Sequence, residues 1–165
     1  MDLRRLRASD WLAGVAGAAL IGLLWAPWYQ GSEGAYFSRA PGRVGYTLNA
    51  WQSMAVNDVI FCIAGLLGIW LLIATATSST QAMPIAATVF ASLIGLLASV
   101  LAVVRLIWPP DLGPGPTGRA AGVWLGAAAA IGLTASALVS MRDERRGEGI
   151  EVPITPLPAP KGGEA

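Results

Sequence analysis

The chain reads as an all-α integral membrane protein: an antiparallel four-helix bundle with both termini cytoplasmic and a disordered, Pro-rich C-terminal tail. Three observations predict this. Hydrophobic residues fill 55% of the 165 positions and charged residues only 13%, with a mean hydropathy of +0.58, too apolar a balance for an ordinary soluble domain. Four apolar runs reach the roughly 20 residues needed to cross a bilayer core about 30 Å thick. The links between most of them are short, which makes consecutive helices antiparallel neighbours.

Residues 1–10 form a cytoplasmic N-terminus holding Arg4, Arg5 and Arg7. The first transmembrane helix is expected over 11–29. Basic residues precede it as in a signal peptide, but no small-x-small cleavage site follows "LLWAPWYQG", so it is expected to be retained. The outer loop and the start of the second helix take 30–52. Up to Thr47 this stretch is rich in Gly, Ser and Arg and reads as irregular. Asn49 with Gln52 three residues later forms a capping-box pattern, which starts the second helix near Asn49.

The second span covers 53–76, an uncharged inner loop 77–83, and the third span 84–108. A second outer loop, 109–119, opens with Pro109-Pro110, which no helix continues through. The fourth span is 120–140. The tail, 141–165, carries Pro153, Pro156, Pro158 and Pro160 and cannot bury a core. A sheet-forming core is excluded within hydrocarbon, where unpaired backbone groups find no partner.

Orientation follows from the Lys/Arg distribution. Arg4, Arg5 and Arg7 precede the first helix and Arg142, Arg145 and Arg146 follow the fourth, so both termini face the cytoplasm of a multi-pass plasma (cell inner) membrane protein. Trp25, Trp28, Trp51, Trp108 and Trp124 then fall at the outer boundary as interface anchors and Trp11 at the inner one. Helices in lipid associate where small residues let backbones approach. Gly14, Ala18 and Gly22 provide such a stripe in the first helix, and Gly118, Gly122, Gly126 and Ala130 in the fourth. In the third, Ala91, Ala98 and Ala102 share a side with Arg105, and Thr88, Ser92, Gly95 and Ser99 line the adjacent strip.

Arg105 stands out because a charge within an apolar span is costly, about 2.5 to 3.5 kcal/mol at mid-bilayer and less near the interface. Asp58 lies at a matching depth, about five residues inside the second helix. The two are expected to pair, with Asn57 and Gln52 adding hydrogen bonds to this polar cluster. The alternative is that each is already accommodated, Arg105 by snorkelling at a helix C-terminus and Asp58 by the dipole of a helix N-terminus.

The chain has no histidine and a single cysteine, Cys62, which rules out an internal disulfide and Cys/His metal sites. No Ser-His-Asp set and no GxxxxGK[ST] loop occur. A net charge of +1 without a basic run gives nucleic acid nothing to bind. No catalytic, cofactor or metal residues are therefore expected. The expected partners are membrane lipids and either a membrane-protein partner or further copies of the chain. The reading is a non-enzymatic structural or accessory protein. The alternative is a subunit of an oligomeric small-solute or ion transporter or channel using Asp58 and Arg105.

At "GYTLNAWQSMAVNDVIF", "VVRLIWPPD" and "GVWLGAAAAIGLTASALVSMRDERR" the chain resembles small four-transmembrane-helix integral membrane proteins of actinobacteria, of unassigned function. The shared features correspond to Pro27-Trp28-Tyr29, Ala50-Trp51 with Asp58, Arg105-Leu106 with Pro109-Pro110, and Met141 to Glu144. The likeness covers all but the tail. It implies the four-span layout and no activity.

Overall fold

The computed structural model describes residues 6–32, 45–54, 56–77, 82–111 and 117–145. Helices dominate: α1 (Ala8–Leu23), α2 (Ala50–Ser53), α3 (Asn57–Thr77), α4 (Ala82–Ile107) and α5 (Ala121–Arg145), with strands β1 (Pro27–Ser32), β2 (Gly45–Asn49) and β3 (Thr117–Arg119) between them. Among the described residues three helices, within α3, α4 and α5, are long and apolar enough to cross a membrane, and α1 is a shorter apolar helix.

α1 opens where Asp10, in its first turn, accepts the backbone N–H of Arg7 at 3.1 Å, satisfying a donor that the helix itself leaves bare. It ends at Leu23 rather than at Tyr29, as its apolar run suggested. Pro27 is the cause: it has no N–H to offer the Leu23 carbonyl and its ring blocks the helical path. That carbonyl is taken by the Trp28 indole N–H at 2.6 Å instead.

The segment after α1 is a strand. β1 is the centre of a three-stranded antiparallel sheet of order β2-β1-β3. The first outer loop is thus ordered at both ends, contrary to its irregular reading, and the second ends in β3; residues 33–44 and 112–116 lie outside the described residues. The sheet uses only residues beyond the helix ends, so it respects the rule against open backbone in lipid. The register slips between Pro27 and Tyr29. Such a bulge lets two successive side chains face one way, and Trp28 and Tyr29 are both fully buried.

The capping box is present: Gln52 N–H donates to Asn49 Oδ1 at 2.9 Å and Asn49 N–H to Gln52 Oε1 at 3.2 Å. It opens only the four-residue α2, because Met54 turns extended (φ −136°, ψ 106°). α3 starts afresh at Asn57, so the expected single helix is two. At the far end of the chain α5 continues to Arg145, which makes residues 141–145 helical rather than disordered; the rest of the tail, 146–165, lies outside the described residues.

The long helices pack side by side. α1 and α4 each adjoin both α3 and α5, and α3 also touches α5. Their inward positions are small: Ala13, Ala64, Ala98, Ala130 and Ala137 are buried, while large apolar side chains such as Leu66 (54% exposed), Leu93 (60%) and Leu125 (55%) face out. A protein dissolved in water arranges these classes the other way round.

Backbone proximity explains the small residues. A Cβ on Gly17 would stand 2.5 Å from the Gly65 carbonyl oxygen, and one on Gly68 would stand 2.7 Å from that of Ala13. The buried strip of α1 is thus Ala13, Gly14, Gly17 and Leu20. Of the stripe expected from four-residue spacing, Gly14 meets Leu72, whereas Ala18 is exposed and Gly22 has nothing near it. Strict steps of four advance about 40° round a helix each time and wind off the contact. Gly118 likewise belongs to β3, against Gln30, whereas Gly122, Gly126 and the buried Ala130 are in α5, the two glycines facing Pro27 and Trp28.

Candidate functional site

The end of the helices that carries the sheet concentrates the polar chemistry, and its organisation begins with the way α4 stops. A helix leaves its last four carbonyls without internal partners. Backbone N–H groups just past the end commonly satisfy them, but here Pro109 and Pro110 supply none. Side chains from the sheet substitute. The Tyr29 hydroxyl donates to the Arg105 carbonyl at 3.1 Å, Arg119 Nε donates to that of Leu106, and Arg119 Nη2 donates to that of Ile107 at 3.0 Å.

Tyr29 and Arg119 reach the same helix end because they are direct partners across the β1–β3 ladder, where opposed side chains share a face. The Arg119 cation also complements the negative end of the helix dipole. Burial pushes the Tyr29 phenol above its ordinary pKa, and the nearby Arg105 and Arg119 charges pull it part of the way back. The neutral, proton-donating form is the one that the bond to Arg105 requires.

Beside this cap, Trp28 fills the centre of the sheet end. Its ring stacks on Phe61 of α3, with centroids 5.5 Å apart and planes 26° from parallel. Gly126 of α5 lies under it so closely that an added Cβ would approach the ring to 2.5 Å. The Trp28 carbonyl accepts the Ala120 N–H at 2.9 Å, and the Leu24 carbonyl accepts the Ala50 N–H at 3.1 Å. One residue therefore contacts α1, α3 and the start of α5.

Trp28 is accordingly not an interface anchor. The other tryptophans named from the sequence, Trp11, Trp25, Trp51, Trp108 and Trp124, are all exposed, with Trp25 and Trp51 in a tilted pair 5.7 Å apart.

The four residues of the expected polar cluster lie at this end but do not join. Asp58 is the second residue of α3 rather than a turn and a half inside it, because the helix begins at Asn57. It is buried, and its Oδ1 accepts the neighbouring Val59 N–H at 2.8 Å, so it is held at a helix mouth. Gln52 is exposed and engaged in the capping box. Asn57 and Arg105 are half-buried. Among the described residues no ion pair links Asp58 to Arg105, and neither Asn57 nor Gln52 bonds to either of them.

A second polar point lies at the opposite end. Asp10 is buried, and its Oδ1 accepts the buried Ser140 hydroxyl at 2.8 Å, which ties the start of α1 to the end of α5. Sequence reasoning passed over it, although an acidic residue in the first turn of an apolar helix is a signal that can be read. Midway between the two ends, Ser99 and Thr134 share a hydrogen bond at 2.8 Å between α4 and α5, while each hydroxyl also reaches a carbonyl one turn back.

Comparisons with protein-family models, curated proteins and solved structures return no match. Geometry and composition carry the functional conclusion.

Proposed function

We propose that the chain is a non-enzymatic, four-pass protein of the plasma (cell inner) membrane, an antiparallel four-helix bundle with cytoplasmic termini. It acts as a structural or accessory partner of another membrane protein. The sheet end is its recognition surface.

The observation that carries this reading is the bracing of that end: Trp28, Tyr29 and Arg119 lock strands from two separate interhelical links onto the four long helices α1, α3, α4 and α5. A rigid platform of this kind suits docking, since little ordering is lost on binding. The outward large apolar side chains and inward Ala, Gly, Ser and Thr support burial in lipid. α1, with 16 residues, is about 24 Å long and shorter than a typical bilayer core, a mismatch met by local thinning and flanking residues.

Cross-linking in native membranes, with a tag placed in the tail after Met141 and mass spectrometry of what is recovered, tests the role. A stoichiometric membrane-protein partner is the expected outcome. Recovery of this chain alone as a defined oligomer, together with solute flux in proteoliposomes that Asp58→Asn abolishes, would replace the reading by a transporter or channel subunit. Reporter fusions at each terminus test the topology, and a terminus found outside the cytoplasm would overturn it.

A further inference from the structure

An arginine in the last turn of a helix ordinarily has an obvious employer, the bare carbonyls of its own C-terminus. In α4 those groups are already taken. The carbonyls of Arg105, Leu106 and Ile107 receive Tyr29 and Arg119. The other natural counterpart, Asp58, binds an amide of its own helix. Among the described residues the Arg105 guanidinium donates to no acceptor, although it sits half-buried at the end of a 26-residue apolar helix. Its five donors and permanent charge make that a costly state unless something beyond those residues answers it.

The surroundings say what. Val104, Ile107 and Trp108 flank Arg105 and are exposed, Trp108 at 68%, and Trp124 at the start of α5 is exposed at the same end. Exposed tryptophans mark the headgroup level of a bilayer, and a long arginine side chain reaches that level from within the apolar layer. The anion available there is a phosphodiester, whose paired oxygens match the planar fork of a guanidinium. Arg119 adds a second positive charge close to the Tyr29 hydroxyl that Arg105 also influences, which favours a headgroup of net negative charge over one carrying its own ammonium.

We propose that Arg105, at the sheet end of α4, is a binding site for the phosphodiester headgroup of an anionic phospholipid. The site rests on the membrane reading above, and it deepens that reading by naming a ligand class.

The test uses the full chain in phosphatidylcholine nanodiscs and in nanodiscs containing phosphatidylglycerol, followed by native mass spectrometry of lipids retained on gentle release. The wild type is expected to keep phosphatidylglycerol in preference to phosphatidylcholine. Arg105→Gln should weaken that retention about tenfold, the scale of one charge-assisted contact, and Arg105→Lys by less, since it keeps the charge and loses the fork. Millimolar inorganic phosphate should not displace the lipid.

Equal retention by Arg105→Gln and wild type would overturn the site. Displacement by inorganic phosphate would show that a soluble anion is its ligand and overturn the lipid assignment. If Arg105→Gln did not fold, as judged by circular dichroism, Arg105→Lys carries the comparison, and full headgroup preference with no weakening would count against the fork. A chain that failed to enter nanodiscs at all would refute the membrane reading itself, whereas one that entered and ignored headgroup charge would refute only this inference.

Discussion

Replacing Trp28 and Gly126 singly and together should expose how the sheet end is held. Trp28→Ala removes a fully buried ring, an exchange that costs about 3 to 5 kcal/mol in a packed core. Part of this is specific to the site: the Leu23 carbonyl loses the indole N–H and keeps only the Ala26 N–H at 3.1 Å, a loss of about 0.5 to 1.5 kcal/mol for one hydrogen bond. Gly126→Ala in the wild type places a methyl group 2.5 Å from the ring. Since that ring is fully buried and also stacked on Phe61, yielding is difficult and the cost should be about 1 to 3 kcal/mol. In the Trp28→Ala background the same methyl enters vacated space and gains the helix preference of Ala over Gly, about 1 kcal/mol. The two changes should therefore couple by about 2 to 4 kcal/mol, with Gly126→Ala reversing sign. Reversible unfolding in mixed micelles of rising SDS content, followed by circular dichroism, measures all four proteins. Equal cost of Gly126→Ala in both backgrounds would show that the ring does not rest on that glycine and would refute the reasoning.

Gly17→Leu should separate α1 from α3, because even a Cβ there meets the Gly65 carbonyl; a loss of more than about 3 kcal/mol is expected in the same assay, and a change under about 1 kcal/mol would count against the contact. Arg119→Gln removes the guanidinium that meets two α4 carbonyls. As Arg119 is exposed, the global cost should be only about 1 kcal/mol after solvent screening, but hydrogen exchange should quicken in the last turn of α4 and not in α3. Ser99→Ala and Thr134→Val should each cost about 0.6 kcal/mol and the pair much less than the sum, since they share one interhelical bond. Tyr29 gives a pH signature. Its folded pKa is raised by burial, so its contribution is complete below the unfolded value of about 10 and declines as pH climbs through the folded one. The stability gap between wild type and Tyr29→Phe should shrink from about pH 8 to about pH 11, and a constant gap would contradict the assignment.

The parts of the fold that lipid dictates were legible in the sequence. α3, α4 and α5 lie within long apolar runs that few other structures could use. The Asn49 and Gln52 capping box was also legible, being a four-residue motif with no distant partner. What failed to show was the consequence of single breaks inside apolar text. Hydropathy passes smoothly over Pro27, so β1 read as the end of a helix and Trp28 as a surface tryptophan; an aromatic residue at the edge of an apolar run has the same local appearance whether it anchors in headgroups or plugs a core. The extended Met54 was equally silent, and it moved Asp58 from the interior of a helix to its mouth, removing the reason for it to seek Arg105. Gly65 and Gly68 were overlooked for a geometric reason: spaced by three, they meet Ala13 and Gly17 across a pair of packed helices, while uniform spacing by fours was the pattern sought. The caps on α4 depend on a strand bulge and on pairing between residues about 90 positions apart, information that no local window contains.

That distant pairing has a consequence for how the molecule is made. A chain emerging from a ribosome delivers α1 and β1 long before β3, so through most of synthesis β1 has no neighbour on its second edge and the end of α4 has no Arg119. The structure closes only when the last hairpin arrives, a non-local step of the kind that slows folding and lengthens exposure to quality control. Until then the second edge of β1 and the α4 carbonyls that Arg119 meets stay unpartnered, and the bond from Ala120, just before α5, to the Trp28 carbonyl forms only with that hairpin.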